Sequence, residues 1–354
     1  MQTYVSIRTD VTEVEKPSVH QPSIRVKLNS LQFSRGIAAM LVVLHHGSSH
    51  VQIFANYLPM HGVFYFGHAG VDFFFVLSGF IIFFVHAKDL GCPNQLGHYV
   101  WQRFTRVYPA YWLIVALYVF VIYQPFPFSL LNFSMDLALL PMAKLETLGV
   151  AWTLQHELFF YTLFGLAILS KRLGILIFIA WLFLILLRYI NLLPFLQPIW
   201  LNRVLVACNI EFTLGMFAAY YWLYHRMRFP RTILVISVCC FLGYGYLDNS
   251  GGFETYPDTI YLPYGVLSML ILICLVELEC GHRFRFPRFW VVLGEASYSI
   301  YLSHLLFIGI AFKYLVAFEF MKQHPNMGYW CMIVFTMVGG VIISIGGFNS
   351  EVQS

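Results

Sequence analysis

The chain has 354 residues, of which 59% are apolar and 11% are charged, and its formal net charge at pH 7 is +4. A soluble globular domain carries roughly 25% charged residues, so a water-soluble fold of this length has too little polar surface to cover so many apolar side chains. The basic residues are dispersed between apolar runs, which argues against a nucleic-acid partner. The composition therefore indicates an integral membrane protein.

The first 27 residues are polar, with mixed charge and two prolines. They lack the apolar core of a cleavable signal peptide. We predict a disordered cytoplasmic tail over residues 1–27 and one membrane domain over residues 28–354.

A helix that spans a bilayer needs about 20 mostly apolar residues. Apolar runs of roughly that length predict an all-α, polytopic transmembrane bundle of about ten spanning helices, at residues 31–47, 67–87, 109–123, 150–170, 173–189, 201–224, 232–247, 260–278, 290–318 and 328–345. A further run at residues 129–140 predicts a short helix at the membrane interface.

Orientation follows from the Lys and Arg residues, which favour the cytoplasmic side. A cytoplasmic N-terminus places fifteen of the 21 on the inner side and five on the outer side, with Arg35 inside a span. This bias predicts that both termini are cytoplasmic. Five of the seven cysteines fall inside predicted spans and two in predicted cytoplasmic loops, so disulfides are not expected.

The first predicted span contains Arg35 and His46, eleven residues apart. An ionisable group at mid-membrane costs about 2.5 kcal/mol or considerably more, so each is a functional candidate. Helical geometry places the two within about 20° of one face and about 16 Å apart along the axis. A guanidinium and an imidazole so arranged suit a long anionic ligand entering from the cytoplasm, with phosphate at the arginine and a general base at the histidine.

The alternative for this pair is structural: Arg35 extends to lipid headgroups and His46 completes a buried hydrogen bond. The adjacent His45 points about 100° away, which favours a packing or supporting role.

Arg103 and Arg106 lie three residues apart at the predicted cytoplasmic edge of the third span. Residues at this spacing share a helix face, so the pair fits a diphosphate clamp. The alternative is an ordinary basic anchor at the inner membrane surface. Asp72 and Ser78, in the second span, are assigned supporting roles, and Gly79 beside them is expected to permit close helix packing.

The fourth predicted span contains Glu157 one turn before Tyr161, so both face the same way. A carboxylate inside a membrane requires a cationic or hydrogen-bonding partner, and Arg35 or His46 is a candidate. The sequence His156-Glu157 begins like a zinc-binding helix, but Phe160 replaces the second histidine, so no metal site is predicted.

Near the C-terminal end, Ser297, Tyr301 and His304 fall at helical spacings of four and three residues. They line one face together, with Tyr298 beside them. Taken alone, this pattern is more typical of hydrogen bonding between helices than of catalysis.

Together these motifs resemble acyltransferase family 3, a family of integral membrane O-acyltransferases, from about residue 28 to the last predicted span. Arg35 and His46 are similar to the family's Arg-x10-His signature, residues 73–80 to its second-helix motif, and Arg103 with Arg106 to its Arg-x-x-Arg motif. The fourth-helix pattern is matched by Trp152, Glu157 and Tyr161, and the Ser-Tyr-x-x-Tyr-Leu-x-His segment by Ser297, Tyr298, Tyr301 and His304. The amino-acid sequences of these segments look closest to the stand-alone branch of the family that modifies bacterial exopolysaccharides.

The resemblance implies a multi-pass protein of the bacterial inner membrane that transfers an acyl group, commonly acetyl, from cytoplasmic acyl-CoA to a hydroxyl of a glycan or a lipid-linked saccharide. It implies that His46 is the catalytic histidine, that Glu157 supports catalysis, and that Arg35, Arg103 and Arg106 engage the donor. Acetyl-CoA is then a donor substrate, and no metal is implied.

A rival interpretation is a transporter or flippase that uses Arg35, His46 and Glu157 as an intramembrane pathway. Transporters of that kind often show inverted repeats with broken helices, and the sequence shows neither. A purely structural membrane scaffold leaves the alignment of Arg35 with His46 unexplained.

Overall fold

The computed structural model describes residues 28–122, 127, 129–140, 145, 147–190, 192–193, 199–250, 261–281, 284–315 and 323–348. Regular structure in these residues is helical throughout, which confirms the predicted all-α bundle. Residues 1–27 and 349–354 lie outside the described residues, so the tail and the cytoplasmic placement of both termini stay predictions.

The α-helices are α1 (Asn29–Ala55), α2 (Ala69–His86), α3 (Leu96–Ile122), α4 (Leu130–Leu137), α5 (Trp152–Leu169), α6 (Lys171–Tyr189), α7 (Ile199–Val204), α8 (Ile210–Tyr224), α9 (Pro230–Asn249), α10 (Tyr261–Cys280), α11 (Arg288–Leu315) and α12 (Pro325–Phe348). Within the described residues, eight helices are long and apolar enough to cross a membrane. These are α1, α2, α3, α6, α9, α10, α11 and α12, and they establish a multi-pass membrane protein.

The other two predicted spans correspond to α5 and α8, which are not long and apolar enough to count as membrane-spanning helices. Gln155, His156 and Glu157 lower the mean hydropathy of α5, and α8 has only 15 residues. The run predicted at residues 201–224 divides into α7 and α8 around Asn209, whose Nδ2 donates to the carbonyl oxygens of Arg203 and Val204 at 3.1 Å each. The amide thus satisfies carbonyl groups that the interrupted helix leaves without partners.

The predicted interfacial helix is α4, and a serine side chain caps it. Ser129 Oγ accepts a hydrogen bond from the Asn132 N–H at 3.2 Å, as is typical of a helix N-cap. Near its other end, the buried Asp136 accepts from both the N–H and the hydroxyl of Thr147, at 2.9 and 3.0 Å. These bonds fix α4 to the segment that leads into α5.

Although α1 is the first helix of the described residues, it lies inside the bundle and packs against α2, α10, α11 and α12. The N–H groups of Asn29 and Ser30 donate to the carboxylate of Glu279 at 2.8 Å each. A carboxylate at this position satisfies free N–H groups and complements the helix dipole. The consequence is that the Arg35 face of α1 is surrounded by protein.

The crossing of α2 with α8 is unusually close because each helix contributes a glycine. A Cβ atom on Gly79 would lie 1.9 Å from the carbonyl oxygen of Phe212, and one on Gly215 would lie 2.0 Å from that of Val76. Neither position accepts a side chain without separating the helices. The prediction of close packing at Gly79 is confirmed.

Gly79→Ala is expected to lower the thermal unfolding midpoint of the detergent-solubilised protein, because overpacking costs about 1–3 kcal/mol and a backbone carbonyl cannot move aside. The matched control is Gly243→Ala within α9, where an added Cβ meets nothing within 4 Å. That variant is expected to keep or slightly raise the midpoint. Equal midpoints for the two variants would contradict the close crossing.

Candidate functional site

A cavity lies among α1, α2, α3, α5 and α11. Much of its wall is apolar and aromatic, which is typical of small-molecule sites. Its polar wall includes Arg35, Ser78, Arg106, Glu157, Ser297 and Tyr298. Residues from five separate sequence motifs therefore meet at one intramembrane cavity.

Arg35 is directed into the bundle rather than toward lipid. Its Nε donates to the Oγ of Ser297 at 3.1 Å, and Ser297 is fully buried. The contact depends on a close approach of α11, because a Cβ atom on Gly294 would lie 1.8 Å from the carbonyl oxygen of Gln32. Ser297 thus links the first and the last of the predicted site motifs.

Glu157 accepts two hydrogen bonds at the cavity wall. Ser78 Oγ donates to its Oε1 at 2.9 Å, and the Tyr161 hydroxyl donates to the same oxygen. Tyr161 is held in turn by Tyr99, whose hydroxyl donates to the Tyr161 carbonyl at 2.9 Å. The predicted pairing of Glu157 with Tyr161 on one helix face is present, and Ser78 connects that face to α2.

The two arginines of the Arg-x-x-Arg motif occupy different surroundings. Arg106 lines the cavity, and within the described part of the chain no hydrogen-bond or ion-pair partner meets its guanidinium, although Glu157 acts on it electrostatically. Arg103 is buried and is not part of the cavity wall. Its guanidinium lies 5.5 Å from the ring centroid of Tyr161 and 5.8 Å from that of Tyr99. Of the two arginines, Arg106 therefore lines the cavity and Arg103 does not.

His46 lies on the same side of α1 as Arg35 but is not part of the cavity wall. Its Nδ1 is 3.0 Å from the carbonyl oxygen of Val42. Because a carbonyl oxygen only accepts hydrogen bonds, Nδ1 must carry the proton of the neutral ring. Nε2 then holds the lone pair, which is the atom a general base requires.

Two aromatic residues of α11 connect the cavity to His46. Tyr301 lines the cavity, and its ring centroid lies 5.7 Å from that of His304. The His304 centroid lies 4.8 Å from that of His46. The hydroxyl of Tyr301 also donates to the Val150 carbonyl at 3.0 Å, which fixes the tyrosine against the start of α5.

The adjacent His45 has a supporting position. Its Nδ1 donates to the carbonyl oxygen of Tyr65 at 2.6 Å, and its ring lies 5.6 Å from that of His68. His68 pairs with Asp248 at 2.8 Å, and Asp248 also accepts from the Tyr264 hydroxyl at 2.9 Å. These contacts hold the segment before α2 against α1, α9 and α10.

Two further predicted site residues act through packing and backbone contacts. Tyr298 donates from its hydroxyl to the carbonyl oxygen of Val107 at 2.9 Å, which joins α11 to α3 beside the cavity. Trp152 packs its ring against Phe75 and His156, with centroid distances of 6.1 and 5.4 Å. Both therefore shape the walls of the site.

Asp72 lies away from the cavity and faces a second buried acid, Glu211 of α8. Asp72 is 2% exposed and Glu211 is 0% exposed, and the two carboxyl groups act on each other electrostatically, although within the described residues Asp72 Oδ2 and both Glu211 oxygens have no hydrogen-bond partner. Our sequence interpretation did not single out Glu211, although the rule applied to Arg35 identifies any ionisable residue inside an apolar run. Such a pair requires a shared proton, since two buried carboxylates repel each other.

The described residues contain no group of three or more His, Cys, Asp or Glu side chains that could hold a metal ion. Their seven cysteines are free thiols. The polar chemistry of the site in this part of the chain therefore rests on the arginine, histidine, glutamate and hydroxyl groups described above.

Comparison with known proteins identifies one family and one characterised relative. A family model described as an acyltransferase domain matches residues 28–345. The exopolysaccharide production protein ExoZ of Rhizobium meliloti (strain 1021) is 29% identical over 262 residues, which cover 70% of this chain and 78% of that protein. No solved structure gives a significant match.

Glu211→Ala is expected to lower the thermal unfolding midpoint, because Asp72 then remains buried without its partner, at a cost of about 1–3 kcal/mol. Glu211→Gln keeps a hydrogen-bond donor toward Asp72 and is expected to retain most of the stability. Thermal unfolding of both variants in the same detergent provides the measurement. Equal destabilisation by Gln and Ala would show that the pair does not share a proton.

Proposed function

The chain belongs to the acyltransferase family whose model it matches over residues 28–345, and on that basis we propose that it transfers an acetyl group from cytoplasmic acetyl-CoA to a hydroxyl of an exported polysaccharide or its lipid-linked precursor. The relative's name, an exopolysaccharide production protein, supports this acceptor class. The observation that carries the proposal is the convergence of Arg35 and Arg106 on one intramembrane cavity, with His46 farther along the same helix face. The bacterial cytoplasmic membrane is the proposed location.

The donor's phosphates are proposed to bind at the two arginines of the cavity. Arg106 has no hydrogen-bonding partner among the described residues. Arg35 donates one hydrogen bond, from Nε to Ser297, which leaves its two terminal nitrogens for a ligand. Guanidinium groups bind phosphate through paired, charge-assisted hydrogen bonds. Glu157 lies near both guanidiniums and balances their charge before the donor arrives. Arg103, held on tyrosine rings, is proposed to support the helix face that carries Arg106.

The length of coenzyme A supports this placement. Arg35 and His46 are about 16 Å apart along α1, a distance comparable to the pantetheine arm that joins the diphosphate to the thioester. With the phosphates at the arginines, the arm passes Tyr301 and His304 and brings the thioester to His46.

His46 then acts through the lone pair of Nε2. This atom accepts the proton of the acceptor hydroxyl, whose oxygen attacks the thioester carbonyl carbon. The carbon–sulfur bond breaks, and the sulfur leaves as the thiol of coenzyme A after receiving that proton from His46. In a covalent variant of this mechanism Nε2 itself attacks the thioester carbonyl carbon and coenzyme A leaves as the thiolate. The acetyl group then passes from Nε2 to the acceptor oxygen, and the hydroxyl proton goes to the thiolate. Trapping with labelled acetyl-CoA in the absence of acceptor distinguishes the two, because only the covalent route labels His46.

The alternative function, a transporter or flippase, predicts no chemical change in the donor. Purified protein in detergent is expected to release free coenzyme A from acetyl-CoA over many turnovers only when acceptor is added. Comparison of the surface glycan of cells with and without the protein, by mass spectrometry and then NMR, identifies the acetylated hydroxyl. An unchanged glycan together with no release of coenzyme A would contradict the proposed function.

His46→Ala is expected to abolish acetyl transfer while leaving expression and thermal unfolding near those of the wild type, because the ring contributes the reacting lone pair. Transfer of labelled acetyl to the glycan is the measurement. His50→Ala is the matched control, since His50 lies one turn farther along α1 and packs on Phe54 and Phe312. Retained activity in His46→Ala would reject the catalytic role.

Arg106→Ala is expected to raise the KM for acetyl-CoA by about tenfold or more, since charge-assisted hydrogen bonds contribute about 1.5–3 kcal/mol each. Steady-state kinetics at saturating acceptor provide the test. Arg228→Ala removes an exposed arginine outside the cavity and is expected to leave the KM unchanged. An unaltered KM in Arg106→Ala would place the donor elsewhere.

A further inference from the structure

His304 is a buried hydrogen-bond acceptor that lacks a donor. The residue is 0% exposed, and within the described residues its Nε2 has no hydrogen-bond partner. Its Nδ1 contacts the carbonyl oxygen of Tyr301, so Nδ1 carries the proton and Nε2 holds the lone pair. A buried acceptor without a donor is costly, so each such exception calls for an explanation.

The neighbouring imidazole does not supply that donor. His46 lies 4.8 Å away, between ring centroids, and its Nδ1 proton is already given to the Val42 carbonyl. Both rings therefore present a lone pair at Nε2 while they are neutral. Neither ring therefore supplies the N–H or O–H group that the other lacks.

The position of His304 indicates where such a group comes from. Ser297 is level with Arg35, to which it is hydrogen-bonded, and His304 follows Ser297 by seven residues, or about 10 Å of helix. His46 follows Arg35 by eleven residues, or about 16 Å. His304 consequently lies on the arginine side of His46, and its ring lies beside Tyr301, which lines the cavity.

We propose that Nε2 of His304 accepts a hydrogen bond from the pantetheine amide N–H nearest the sulfur of the acyl-CoA donor. This inference rests on the proposed function and specifies how the same site recognises its donor. Only two methylene groups separate that nitrogen from the sulfur, so a hydrogen bond at His304 fixes the thioester carbonyl next to His46. His304 is thus a donor-positioning residue, and it takes no proton in the reaction.

This role is consistent with the chemistry of the two rings. His46 is half-buried and nearer the outer end of α1, where the acceptor hydroxyl approaches, whereas His304 is fully enclosed. Fixing the thioester limits the orientations it samples before attack, which is the usual contribution of substrate-positioning groups.

The test compares acetyl-CoA with an analogue in which an ester oxygen replaces that amide N–H, using the full-length protein in detergent. The wild type is expected to prefer acetyl-CoA by about tenfold in kcat/KM, the effect of one hydrogen bond to a buried acceptor. His304→Asn keeps a donor toward the Tyr301 carbonyl but withdraws the outer acceptor, and it is expected to lose the preference. His304→Gln places a carbonyl oxygen near the position of Nε2 and is expected to restore it.

Equal loss of activity toward both donors in His304→Asn, with the preference unchanged, would overturn the proposal and leave His304 a structural residue. A wild type that uses both donors equally would also overturn it. Wild-type transfer from acetyl-CoA itself tests the proposed function separately, so failure of one claim is distinguishable from failure of the other.

Discussion

The structure depends on the cost of placing a guanidinium inside a membrane. Arg35 lies within a spanning helix, and a charge at that depth is tolerated only when protein surrounds it. The surrounding helices meet this requirement: Ser297 accepts from Nε at 3.1 Å, and the cavity brings the carboxylate of Glu157 to the same space. The position of α1 inside the bundle, although it is the first described helix, follows from this constraint.

The same constraint applies to the buried acids that lie away from this cavity. Asp72 and Glu211 face each other between α2 and α8, where glycines let the two backbones meet. Asp248 joins His68 to Tyr264 nearby. Asp248 is satisfied by these two protein groups, whereas Arg106 lines the cavity and His304 lies beside Tyr301, which also lines it. The bonds of Asp248 hold helices together, whereas Arg106 and His304 are the groups that we propose to meet the donor.

Helical periodicity was sufficient to predict the faces of single helices. It placed Arg35 with His46 and Glu157 with Tyr161, and the hydrogen bond between the latter two is present. It also placed Arg103 and Arg106 beside one another, and both lie near Tyr161. Spacing along one helix carries no information on depth within the bundle, so the sequence did not show that only Arg106 reaches the cavity.

The sequence likewise did not predict which helices contact one another. Glu211 lies far from Asp72 in the chain, and their pairing depends on the crossing at Gly79 and Gly215.

The most direct test of the account is a cryo-EM structure with a thioether analogue of acetyl-CoA that cannot transfer its acetyl group. The account predicts the diphosphate within hydrogen-bonding distance of Arg106 and Arg35, and the sulfur beside His46. Binding outside the bundle, or density for lipid in the cavity, would contradict it.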